Sequence, residues 1–74
     1  MDDADLAREV RDALTYVGGV DQTYLQIRCH DGVVLLSGIA FSEAERHEAE
    51  AVASTVPGVR RVVNELTLVA PRAE

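Results

Sequence analysis

Cys29 and His30 are the residues whose chemistry could go furthest. A thiol beside an imidazole suggests either a nucleophile with its base or half of a zinc site. Their adjacency argues against both. Neighbours on an extended strand point to opposite faces, so the two side chains cannot converge on one ligand or share one proton. The second histidine, His47, falls in a separate helical segment. Core thiol and surface imidazole are the roles this pattern assigns. A lone cysteine cannot pair within the chain and leaves the redox compartment open. No catalytic residues, no metal ligands and no cofactor are expected.

Three other groups of residues invite a chemical reading. Glu43, Glu45, Glu48 and Glu50 are acidic enough for a cation, but a cation site needs carboxylates converging on one point, and helical spacing disperses these over a solvated face. Gly18-Gly19 could cradle a phosphate, but phosphate loops open helices and this pair closes one. Asn64 is polar and falls on the core parity of a strand. Its amide is expected to satisfy buried backbone groups at a helix end or loop, so Leu or Ala in its place should destabilise the fold.

Composition narrows the partners. The 74 residues carry a net charge of −6, with seven arginines and no lysine. An acidic surface is repelled by phosphate backbones, so nucleic acid is a poor partner. RNA binding also lacks a Gly-rich basic loop or an exposed aromatic platform. No run of about 18 apolar residues is present to cross a membrane as a helix. The first residues, Met1-Asp2-Asp3-Ala4-Asp5, are acidic where a secretory signal is basic and then apolar. A complete chain would therefore be expected in the cytoplasm, and a domain cut from a longer precursor in the periplasm or envelope. A chain of this length buries roughly 60% of its unfolded surface. Its core supplies about 3–5 kcal/mol of net stability.

The elements that position these residues are organised around Asp31-Gly32, which sits between two apolar runs and signals a two-residue hairpin. Before it, Leu6, Val10, Ala13, Leu14 and Val17 recur at helical spacing. Asp3 or Asp2 caps that helix, Arg8 pairs with Asp12, and Gly18 closes it in a left-handed conformation. Tyr24 to His30 reads as the first strand and Val33 to about Ala40 as the second. A two-residue turn pairs His30 with Val33, Cys29 with Val34, Ile27 with Leu36 and Leu25 with Gly38. Leu25, Ile27, Cys29, Val34 and Leu36 then share the core face. Gly38 on that face would let a helix approach closely. Ser42-Glu43-Ala44-Glu45 is a capping box opening a second helix. Its buried stripe is Ala49, Val52, Ala53 and Val56, Arg46 pairs with Glu50, and Pro57-Gly58 ends it. Arg61 to Val69 alternates as a third strand with Val62, Asn64, Leu66 and Leu68 on one face. A full helix between the second and third strands favours a parallel right-handed crossover and the order 1-2-3. Pro71-Arg72-Ala73-Glu74 is expected to fray. The fold class is α+β: an αββαβ two-layer sandwich, with a three-stranded mixed sheet and both helices on one face.

This layout leaves a sheet face without helices. Gln26, Arg28 and His30 lie there beside Val33, Leu35 and Ser37, and parallel register adds Arg61 and Val63. Arg28, His30, Val33, Leu35, Arg61 and Val63 are thus the candidate binding residues: three aliphatic side chains rimmed by two arginines and a histidine. Exposed apolar patches with polar rims mark interaction sites. The basic rim suits an anionic phospholipid headgroup or an acidic protein partner. A second copy could equally cover the face, giving a homo-oligomer.

Asp31-Gly32-Val33-Val34-Leu35-Leu36-Ser37-Gly38, Ser42 through Arg46, and Pro57-Gly58-Val59-Arg60-Arg61-Val62-Val63-Asn64-Glu65-Leu66 together resemble the BON domain family, named for bacterial osmotic-stress and nodulation proteins. The family pattern reads DGxVxLxG … GVxxVxNxL. The likeness covers nearly the whole chain and implies one domain over residues 1–74 with the αββαβ fold. It also implies a non-enzymatic module associated with phospholipid or membrane binding in bacterial envelopes. Such modules occur in tandem or beside pore-forming, peptidoglycan-binding and nucleotide-sensing ones. The family defines no catalytic residues to carry over. A cytoplasmic interaction or regulatory domain, self-associating or fused to a sensor, is the alternative reading.

Overall fold

A computed structural model describes residues 2–18, 20 and 22–69. Gly19 and residues 70–74 lie outside that range, and with them the expected frayed tail. The chain runs α1 (Asp3–Val17), β1 (Leu25–His30), β2 (Val33–Ala40), α2 (Glu43–Ser54) and β3 (Arg61–Leu68). The sheet order is β1-β2-β3, with β1 antiparallel and β3 parallel to the central β2. This is the α+β, two-helix, three-stranded mixed arrangement expected from the sequence.

The hairpin forms as its turn chemistry requires. Asp31 and Gly32 take φ of 51° and 80°, both left-handed, as a primed two-residue turn demands. The four expected pairings, from His30 with Val33 to Leu25 with Gly38, are all present. Ile27, Val34 and Leu36 are buried on one face, with Leu25 and Cys29 packed against them. Above them lie Leu6, Val10 and Leu14 of α1 and Ala49 and Ala53 of α2. Helix α1 packs mainly on β1 and α2 mainly on β3, and the helices touch each other. The alanines let α2 lie low over the sheet.

Several local expectations need correction. Of the two caps the sequence offers, Asp2 is the one that closes α1, its Oδ1 accepting from Asp5 N at 2.9 Å. Arg8 turns to Asp5 at 3.8 Å rather than to Asp12. Val17 ends the apolar stripe but is 47% exposed, because α1 covers the core only as far as Leu14. Tyr24 belongs to a turn before β1, closed by Leu25 N donating to Gln22 O. At Gly38 no helix approaches: an added Cβ would lie 1.9 Å from the Tyr24 carbonyl oxygen, and φ is 115°. The close neighbour is the backbone that leads into β1, whose carbonyl accepts from Ile39 N at 3.1 Å. Ser42 caps α2 through Glu45 N, but the Glu45 carboxylate reaches back to Phe41 N at 2.7 Å, one residue beyond the usual capping-box partner. Arg46 pairs with Glu43 at 3.0 Å and not with Glu50. That hydrogen bond and the charge of Glu43, with a smaller contribution from Glu50, hold the Arg46 guanidinium charged more firmly than usual. Leu68, on the core parity of β3, is 43% exposed at the strand's last residue.

Candidate functional site

The parity that buries Val34 and Leu36 turns Val33, Leu35, Ser37 and Ile39 to the other face of β2. Register then brings the six candidate residues together. His30, Val33 and Arg61 form one row across the sheet, and Arg28, Leu35 and Val63 the next. Gln26, Ser37 and Glu65 form a third row, and Ile39 lies beside Thr67 beyond it. Val33, Leu35, Ile39 and Val63 are half-buried by their neighbours, whereas Arg28, His30, Arg61 and Glu65 are exposed. Among the described residues, no element lies over this face.

The rim is less basic than residue types alone suggest. The His30 imidazole stands 3.7 Å from an Asp3 carboxylate oxygen and 3.6 Å from one of Asp31. Two carboxylates thus flank the imidazole on this rim. Asp3 also accepts from Asp31 N at 3.2 Å, so the first turn of α1 holds the hairpin tip. From β3 the same tip is held by Arg60 N and Arg61 N, which donate to Gly32 O at 2.7 and 3.3 Å. The Arg60 stem lies where a Gly32 side chain would stand. A half-open cleft of about 340 Å³ lies here, lined by Asp3, Leu6, Asp31, Gly32, Gly58 and Arg60.

Sequence reasoning missed the far end of the open face. Tyr24 and Phe41 meet edge to face with ring centroids 5.8 Å apart, and are 54% and 38% exposed. Val69, 43% exposed, extends the β2–β3 pairing by donating its N–H to Ala40 O at 2.9 Å. Carrying the alternation of β2 to Phe41 and of β3 to Val69 would have found both. Tyr24 keeps the parity of Gln26, Arg28 and His30, so the alternation of β1 followed back two residues points to it as well. This end is apolar and aromatic, the hairpin end is charged, and Glu65 lies between them.

The nucleophile and metal readings gain nothing from the geometry. Burial pushes the Cys29 thiol up, and the Asp3 charge pushes it further, so the sulfur stays protonated and weakly nucleophilic. Among the described residues, no three His, Cys, Asp or Glu side chains are placed to hold a metal ion. Among the described residues, no helix is long and apolar enough to cross a membrane. Asn64 is structural: its Nδ2 donates to Arg46 O at 2.9 Å and to Glu50 Oε1 at 3.2 Å, and its Oδ1 accepts from Leu66 N at 3.1 Å. The helix carbonyl it meets is interior to α2 rather than at its end.

No curated protein matches the chain significantly. A family model described as BON domain matches residues 2–70, spanning both helices and all three strands. With its hairpin, crossover and strand order in place, this chain belongs to the BON domain family.

Proposed function

We propose that this chain is a non-enzymatic docking module that receives a partner protein on its open sheet face. The family is one of binding domains, generally without catalysis. The observation that carries the reading is the row structure: Val33, Leu35, Ile39 and Val63 stand without a roof on a sheet whose other face is covered by both helices. Rigid apolar centres with polar rims are how protein interfaces are built. Photo-crosslinking residues placed at Leu35 or Val63, in the cells that make the protein, should capture a discrete partner. The same group at Glu9, exposed on α1, should not. Equal capture from Glu9, or none from the sheet face, overturns the reading.

Arg28 and Arg61 favour a second reading, an anionic lipid headgroup. Each basic residue near such a surface contributes about 1 kcal/mol, and stable attachment draws on a cluster of them. Two arginines beside Glu65 and Asp31, on a chain of net charge −6, fall short of that cluster. Flotation with phosphatidylglycerol vesicles at low salt, lost at high salt and in Arg28→Gln/Arg61→Gln, would transfer the function to the lipid.

A further inference from the structure

Resting on the docking reading above, we propose that the partner on the open face is a second copy of this chain. The two sheets meet face to face, end for end, about a two-fold axis crossing the strands at Arg28, Leu35 and Val63. Those three residues form one row of the register. About this axis every residue meets the mirror position of its own strand, so the face must complement itself. This one does. On β3, Arg61 and Glu65 stand two residues either side of Val63 on the same face, about 13 Å apart. Turning the second copy end for end sets each Arg61 over a Glu65, twice, while Leu35 and Val63 meet their own counterparts at the centre. Val33 falls over Ser37, and His30 over Gln26.

Other occupants are less well matched. A lipid surface or an acidic protein would leave Glu65 facing like charge. Helices α1 and α2 already spend their apolar stripes on the opposite face. Two contacts oppose the arrangement: Arg28 faces Arg28 at the β1 edge, where solvent and salt screen the repulsion, and Ile39, four residues from the axis, falls over the Asp31-Gly32 turn rather than over an apolar partner. The area is modest. Three strands of about eight residues span about 14 by 26 Å, roughly 370 Å² per copy, against about 800 Å² per partner for a standard interface. The dimer is therefore weak and rapidly exchanging.

Sedimentation equilibrium and amide chemical shifts, followed on dilution of the full chain from about 1 mM, test this. Shifts should concentrate at Val33, Leu35 and Val63 and spare the outer faces of α1 and α2. Arg61→Glu and Glu65→Arg should each weaken association about tenfold, because each converts two attractions into two repulsions. An equimolar mixture of these variants should recover wild-type association, since one copy then offers two carboxylates and the other two guanidiniums. Arg28→Gln should tighten it. If either reversal unfolds, Arg61→Gln and Glu65→Gln replace them and should each weaken association. A mixture no tighter than its components, or a folded monomer at 1 mM, overturns the dimer. The Leu35 and Val63 crosslinks separate the failures: capture of a different protein leaves the docking reading standing, and no capture removes both.

Discussion

Asn64 stands where this strand pattern would otherwise carry an aliphatic residue, and its amide joins three places at once. It ties β3 to the Arg46 carbonyl and the Glu50 carboxylate of α2, and it satisfies the Leu66 N–H. That N–H belongs to an edge strand, where unpaired backbone groups invite pairing with other chains. Asn64→Leu keeps the branched shape, removes all three bonds and leaves Leu66 N without its side-chain partner. The urea midpoint should fall by the equivalent of about 1–2 kcal/mol, with the open face unchanged in its amide spectrum. An unmoved midpoint would show that the amide holds nothing. The polarity of Asn64 on a core parity was legible in the sequence, and so was its structural role. Which helix groups it meets was not, because that depends on the height of α2 above the sheet. The ion pairs were the least legible residues. Arg8 and Arg46 each chose a carboxylate three positions before them over one four positions after. Between exposed or half-buried groups at a surface these alternatives differ by a few tenths of a kcal/mol, too little for spacing to decide.

At the scale of elements, the strands read correctly because two constraints agreed. The left-handed pair Asp31-Gly32 set the turn length, and the apolar alternation set the parity; either alone would allow a slip of one residue. The mistakes lie at element ends, where no periodicity operates: Tyr24 in a turn, Val17 and Leu68 at the margin of the roof. Gly38 was recognised as a place of close approach, but with the wrong neighbour. The two tight glycines should therefore respond differently to alanine. At Gly38 the obstacle is the Tyr24 backbone and φ is 115°, so Gly38→Ala should cost about 3 kcal/mol, adding backbone strain to overpacking. At Gly32 the nearest atoms are the movable Arg60 stem, so Gly32→Ala should cost nearer 1–2 kcal/mol, mostly from its positive φ. Thermal melts of the two variants should differ in that order. The reverse order would mean that the Arg60 stem cannot yield.

For the molecule as a whole, the central strand is the best-supported element. β2 is paired on both edges and carries Val34, Leu36 and Ala40, all essentially without exposure. Amide exchange should be slowest in β2, proceeding there only through global unfolding. It should be fast at the last turn of α1, where Tyr16 and Val17 are exposed. Equal protection along α1 and β2 would contradict this ranking. The open face follows from the same architecture. Two helices suffice to roof one side of three strands, and among the described residues no third layer covers the other. What went unread at this scale was the sorting of that face into a charged end and an aromatic end, since the alternation was not followed past the end of β2 to Phe41.

The parallel pairing of β3 with β2 also has a consequence during synthesis. The hairpin can close as soon as residue 40 leaves the ribosome, but β3 reaches its place only after α2 and the whole of Leu68 have followed. Until then the second edge of β2, rich in valine and leucine, has no neighbour, and nascent chains on one messenger are exposed to one another along it. Slowing translation after codon 40 should lengthen that window and lower the yield of native protein.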